Sequence, residues 1–317
     1  MIYTLTLNPA IDKTITVPDF EIGKLHYIEN VQLEACGKGI NVSRTLRALE
    51  MDSVALGFIG GWNGHFLLEQ LDHAGIAHDF IKTGAESRIN LKVYDPTKKG
   101  DKKITDINEK GRTIEEGNSD LLIQKIKKIV GKEDILVMSG SAPQGIEDSI
   151  YADIISELDC DNVVLDTHGP LLKKGVLAKP YLVKPNLFEL SMYHGKNLYH
   201  RADIIKAGQK MLENGAQNAL VSKGNRGALY LTGDEVYYIP PFEVETKSTT
   251  GAGDAMVAGF IYAQEKGLPL QDRLKYAAAA AGTTILTEGS HSGKKSDIET
   301  LQKNVHIRKL RKDNRWK

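Results

Sequence analysis

Cysteine is nearly missing from this chain, with two residues, Cys36 and Cys160, among 317. They make no disulfide framework and have no metal-ligand spacing. An excess of charge is missing too: Lys+Arg and Asp+Glu balance at 41 each, so no bulk charge points to nucleic acid or a membrane surface. No apolar run approaches the ~18 residues that a membrane helix requires. The opening Met-Ile-Tyr-Thr-Leu-Thr-Leu-Asn-Pro lacks the basic and long apolar regions of a secretory signal. No linker, internal repeat or low-complexity segment divides the sequence. The expectation is a cytoplasmic protein, one domain over residues 1–317, with neither nucleic acid nor membrane as partner. The tail His306–Lys317 holds six Lys/Arg and reads as a frayed, solvated end.

Short β-rich apolar runs alternate with helical patterns. The strands expected are Ile2–Leu7, Val54–Ile59, Ile135–Ser139, Val163–Asp166, Tyr181–Lys184 and Ala219–Ser222. Helices are expected near Ile40–Leu49, Phe66–Ala74, Asp120–Val130, Asp148–Leu158, Leu187–His194 and Ala202–Asn214. Such alternation predicts an α/β fold: a mostly parallel sheet with helices on both faces. Two long helices, Ala255–Lys266 and Leu270–Leu286, follow. The small residues Ala277–Ala281 fit either tight helix packing or close approach of a ligand. Thr14–Glu34 and Arg88–Ile107 carry no helix signal and read as a small β-flap, or lid, over the sheet's C-terminal edge, where open α/β sheets bind ligands.

The most informative stretch is Ser248–Phe260, in which Gly251-Ala252-Gly253 runs into a helix whose first turn carries Asp254. Backbone N–H groups there form an anion site. A carboxylate beside such a site suits phosphoryl transfer, taking the acceptor hydroxyl's proton while the N–H groups hold the moving group. An ordinary helix start is the plainer reading. Gly37-Lys38-Gly39-Ile40-Asn41 opens another helix, where Lys38 and Asn41 can meet a hydroxylated or phosphorylated ligand. Asp12, after the first strand, can accept two sugar hydroxyl protons, or simply belong to a turn. Strand alternation puts Arg88, Asn90 and Lys92 on one face, a set suited to a phosphate dianion or to a solvated edge strand. Asn186 and Glu189 share a helical face and suit Mg2+ through its waters, or a capping-box-like pair. Ser222-Lys223-Gly224-Asn225-Arg226-Gly227 lets backbone approach a nucleotide, or makes a glycine hairpin. Gly57–Gly64 is glycine-rich but lacks the G-x-G-x-x-G spacing of dinucleotide sites.

In this order, with Thr-Leu-Asn-Pro-Ala-Ile-Asp, Gly-Lys-Gly-Ile-Asn-Val, Ser-Gly-Ser-x-Pro, Val-Lys-Pro-Asn-x-x-Glu-Leu and Ser-Thr-x-Gly-Ala-Gly-Asp spanning nearly the whole length, the chain resembles the ribokinase-like phosphofructokinase B family. The likeness is to the branch of 1-phosphofructokinases and tagatose-6-phosphate kinases. The resemblance implies that Asp254 is the base and that Gly251, Ala252 and Gly253 form the anion hole. It puts Asp12, Gly37, Lys38, Asn41 and Arg88 around a sugar phosphate. It directs Lys184, Ser222, Gly224 and Gly227 at ATP, and gives Mg2+ to Asn186 and Glu189. It implies a homodimer through the flap. Arg88-Ile89-Asn90-Leu91-Lys92 and Thr105-Asp106-Ile107-Asn108 resemble the 1-phosphofructokinases more, which implies fructose 1-phosphate as acceptor, with tagatose 6-phosphate as the alternative. A sugar-phosphate sensor without catalysis is the non-enzyme alternative, but Gly251–Asp254 is intact. Four positions depart from the family's pattern: Cys36, His168, Lys223 and Ala255.

Overall fold

The computed structural model describes residues 1–242, 249–287 and 292–310. The chain opens with β1 (Ile2–Thr6), β2 (Ala10–Thr16), β3 (Asn30–Cys36) and α1 (Lys38–Ala48). There follow β4 (Val54–Gly60), α2 (Gly61–His73), β5 (Ala77–His78), β6 (Ile81–Thr83), β7 (Arg88–Tyr94) and β8 (Ile104–Asn108). Next come α3 (Asn118–Ile129), β9 (Ile135–Ser139), α4 (Ile150–Glu157), β10 (Asn162–Asp166), α5 (Gly169–Leu177), β11 (Leu182–Val183), α6 (Leu187–His194) and α7 (Arg201–Glu213). The last are β12 (Asn218–Ser222), β13 (Ala228–Leu231), β14 (Val236–Ile239), α8 (Ala252–Glu265), α9 (Leu270–Thr284), α10 (Lys295–Gln302) and β15 (Arg308–Lys309).

The large sheet runs β15-β14-β13-β12-β11-β10-β9-β1-β4-β5, with β6 also on β4. From β12 to β5 all neighbours are parallel; β13, β14 and β15 extend the sheet antiparallel. Side-chain alternation divides each central strand between two cores. In β9, Leu136 and Met138 join the core under α3 to α7, while Ile135 and Val137 join the core under α1, α8, α9 and α10. Strands buried on both faces read as unbroken apolar runs, which is why they stand out in the sequence.

A second sheet, β3-β2-β7-β8, is the flap. It hangs from the carboxyl end of β1 through residues 7–9 and returns through Gly37 into α1. The register sets Ala10 beside Cys36 and Arg88, Asp12 beside Glu34 and Asn90, and Thr14 beside Lys92. Period-two alternation therefore puts Cys36, Asp12, Arg88, Asn90 and Lys92 on one face.

Some expectations shift. The flap strands begin at Ala10 and reach Cys36 and Asn108, and residues 17–29 form turns and loop rather than strand. Helix α5 escaped notice because Gly169-Pro170 looks like a breaker, yet Pro stands at a helix's first turn without cost. The alanines Ala277–Ala280 of α9 are buried, and a Cβ on Gly259 of α8 would lie 2.3 Å from the Tyr276 carbonyl oxygen; the small residues serve helix packing. Of the basic tail, Arg308–Lys309 pairs with β14 as an edge strand, and residues 311–317 lie outside the described residues. Ser248 lies outside them as well.

Candidate active site

Helix α8 starts on Gly251, whose φ of 78° is left-handed and suits a residue without Cβ. Asp254 sits in the first turn, 6% exposed. Its Oδ2 accepts a hydrogen bond from Asn41 Nδ2 of α1 at 2.8 Å. Burial pushes its carboxyl up, and nearby Asp166 adds to the rise, against Lys38, the Asn41 bond and Lys184; the balance lies at about 6. A carboxylate so poised exchanges a proton near neutral pH. The Asn41 Oδ1 atom is buried without a hydrogen-bond partner among the described residues.

Asp166, at the carboxyl end of β10, is fully buried. Lys38 Nζ donates to its Oδ1 at 2.8 Å, and Lys184 Nζ stands 3.2 Å from Oδ2 as an ion pair. Although burial opposes ionisation, Lys184 and then Lys38 hold the Asp166 carboxyl below its usual range. Lys38 reaches Glu189 Oε1 as well, at 3.6 Å. These carboxylates outweigh burial and raise the Lys38 ammonium above its usual value. Lys184 is 3% exposed, and a Cβ on Gly253 would lie 3.1 Å from its Nζ. The glycine thus keeps the start of α8 open directly over a lysine charge.

The second group lies on the flap. Asp12 accepts from Asn90 Nδ2 at 2.9 Å and from Lys92 Nζ at 2.5 Å. Arg88 donates to the carbonyls of Asn8 and Glu109 at 3.1 and 2.9 Å, and to Asn90 Oδ1 at 3.1 Å. Cys36 lies between the groups: burial first, then Asp12, pushes its thiol up to about 12, with Asp254 also raising it. The thiol is held in its neutral form beside Asp12.

Asn186 and Glu189 form a reciprocal capping box on α6, each backbone N–H bonded to the other's side chain at 2.8 Å. The capping reading holds. Glu189 keeps Oε1 turned toward Lys38. Among the described residues no three His, Cys, Asp or Glu side chains cluster as a metal cage. Ser222 bridges Asn186 across adjacent strands, so Lys184, Asn186 and Ser222 share one edge. Gly224 and Gly227 lie in the β12–β13 hairpin beyond it.

Asp166 was not singled out from sequence, and its one signal was a carboxylate ending the apolar run Val163-Val164-Leu165. Of the four departures, Cys36 alone joins these groups. Ala255 is core, and His168 is the exposed N-cap of α5. Lys223 lies over the Tyr238 ring at 4.8 Å, and burial, then Arg226 and Arg201, push it down to about 8.

Residues 5–297 match the family described as pfkB family carbohydrate kinase. A 1-phosphofructokinase of Borreliella burgdorferi is 37% identical over 90% of this chain and 92% of its own. A D-tagatose-1-phosphate kinase of Bacillus licheniformis is 33% identical over 95% and 98%. Among solved structures, phosphofructokinase-2 from Escherichia coli, in complex with substrates and products, superposes with a TM-score of 0.88 at 26% identity, covering 96% of this chain and 98% of that one.

Proposed function

Because the chain belongs to the pfkB family of carbohydrate kinases, we propose that it transfers the γ-phosphoryl group of ATP to the 6-hydroxyl of fructose 1-phosphate. The products are fructose 1,6-bisphosphate and ADP. The observation that carries this reading is Asp254, a buried carboxyl poised at about 6 in the first turn of a helix whose Gly253 lies beside Lys184 Nζ.

In the proposed step, Asp254 takes the proton of the sugar hydroxyl as its oxygen bonds the γ-phosphorus. The bond from that phosphorus to the β,γ-bridging oxygen breaks, and its electron pair leaves on ADP. N–H groups of Gly251, Ala252 and Gly253, with Lys184 beneath them, stabilise the charge on the phosphoryl oxygens. Asn41 orients Asp254 through its Nδ2 hydrogen bond and borders the sugar. Asp12, fixed by Asn90 and Lys92, receives sugar hydroxyls; Gly37 and Lys38 border the same space, and Arg88 meets the phosphate. Lys184, Ser222, Gly224 and Gly227 line the ATP side. The donor set fits Mg2+ only as an ion that keeps most of its waters: the capping box occupies Asn186 Oδ1 and Glu189 Oε2 and leaves Glu189 Oε1 to hold such a water. When bound with ATP, the ion supplies neutralisation of phosphate charge.

The reading includes a cytoplasmic location. Among the described residues, no helix is long and apolar enough to cross a membrane, and both cysteines are free. It also includes a homodimer through the flap, whose other face leaves Val31, Leu33 and Ile107 about half exposed.

A second reading takes the ketose epimeric at C4, as in the D-tagatose-1-phosphate kinase relative. An ADP-release assay with Mg-ATP compares fructose 1-phosphate, tagatose 1-phosphate, tagatose 6-phosphate and fructose 6-phosphate. The expected kcat/KM is at least ~10-fold higher for fructose 1-phosphate, about 1.4 kcal/mol of discrimination. A higher value for either tagatose phosphate overturns the acceptor and keeps the chemistry.

A further inference from the structure

A cleft at the carboxyl ends of β1 and β4 is lined by Asn8, Gly60, Ser87, Arg88 and Arg112, among others. Arg88 is half-buried, and burial holds its guanidinium below the usual value. Its three hydrogen bonds go to neutral oxygens: two backbone carbonyls and the Asn90 amide. No carboxylate among the described residues pairs with it. Arg112, exposed at the rim, has no hydrogen bond or ion pair among the described residues.

The backbone fixes Arg112 in place. Asn8 Nδ2 donates to the Lys110 carbonyl at 3.0 Å, and a Cβ on Gly111 would lie 2.6 Å from Asn8 Oδ1. Residues 110–111 are therefore pressed against the side chain of Asn8, whose carbonyl holds Arg88. The cleft's one carboxylate, Glu86, is spent elsewhere: its Oε1 accepts from Asn63 N at the start of α2, at 2.6 Å, where the helix dipole favours it. Ser87 Oγ accepts from Gly60 N and keeps its own proton to donate. Arg88 and Arg112 both line this cleft; two like charges at one cleft favour an anion there, and a phosphate monoester offers oxygens for both forks. Lys92 gives one of its three ammonium donors to Asp12, at 2.5 Å.

We propose that Arg112 is a second phosphate-binding residue, which with Arg88 grips the phosphate of the acceptor sugar in this cleft. The proposal rests on the sugar-phosphate kinase reading above and adds the residue that completes its phosphate seat.

Isothermal titration of the full chain with fructose 1-phosphate, and separately with Mg-ATP, tests it in the wild type, Arg112→Ala and Arg112→Lys. Arg112→Ala is expected to weaken fructose 1-phosphate about tenfold, the low end for a charged hydrogen bond at an exposed position. Arg112→Lys recovers part of the loss. The Mg-ATP affinity stays unchanged, which also reports an intact fold, and in turnover KM rises while kcat holds. Unchanged sugar-phosphate affinity in Arg112→Ala, with the wild type binding, overturns the role of Arg112 alone. A wild type that binds neither fructose 1-phosphate nor tagatose 1-phosphate overturns the acceptor reading and this proposal with it.

Discussion

Keeping a carboxylate charged inside a protein costs stability, and Asp254 allows that cost to be separated from its use. Its folded value of about 6 is above the unfolded value of about 3.9. The folded state therefore binds the extra proton between these values, and stability falls as pH rises through that window. Above pH ~6 the whole penalty is present, of order 2–3 kcal/mol at ~1.4 kcal/mol per pH unit. Asp254→Asn removes it while keeping an oxygen for Asn41. The variant is expected to lose at least ~100-fold in kcat, yet to melt higher than wild type at pH 7, with the difference vanishing near pH 4. A variant less stable at pH 7 would contradict this account of the buried charge. In the wild type, kcat/KM should fall on the acid side with a midpoint near 6, because protonated Asp254 accepts nothing; a flat profile down to pH 5 would remove Asp254 as the base.

At the scale of elements, the capping box of α6 gives a separable prediction. Asn186→Ala leaves the Glu189 N–H without its acceptor and is expected to cost about 1 kcal/mol, whereas Asn186→Asp retains the cap. Denaturant unfolding reads both, and an equal loss in the two would refute the cap's contribution. Elements also decide what was legible beforehand. The helix starts at Gly37 and Gly251 show in the sequence because they join backbone-permissive glycine to a charged or amide side chain over a few residues. The flap residues show through period-two alternation. Asp166 does not show, because its partners Lys38 and Lys184 reach it only through the order of strands β9, β10 and β11 beside β1. A single residue ending a strand leaves no periodic trace. Likewise α5 was hidden by Gly169-Pro170, since one dipeptide serves both turns and helix starts.

For the whole molecule, the flap's exposed apolar face is the feature that bears on assembly. Half-exposed Val31 and Leu33 of β3 lie on the same side as Ile107 of β8, at the sheet's two edges, and exposed apolar side chains on a sheet face favour a partner. Light scattering after gel filtration is expected to give twice the chain's 34.9 kDa, and Leu33→Lys with Ile107→Lys is expected to halve it. A monomeric wild type would discard the dimer. The α/β layering was legible throughout, because both faces of the central strands are apolar. The proposed ATP side was legible least, because the β12–β13 turn carries glycines that any hairpin uses.

The flap joins the body through connecting segments at residues 7–9, 37, 84–87 and 109–117, whereas Asp254 begins a helix buried against α9 with Gly259 pressed on a carbonyl. On the proposed reading, choice of sugar and transfer of phosphoryl sit on parts with unequal freedom to vary. A lineage can rewrite Asn90 or Cys36 and acquire a new acceptor without disturbing the reaction centre, while α8 and α9 admit little change. Divergence in such a chain is expected to collect in the lid and leave the chemistry ancestral.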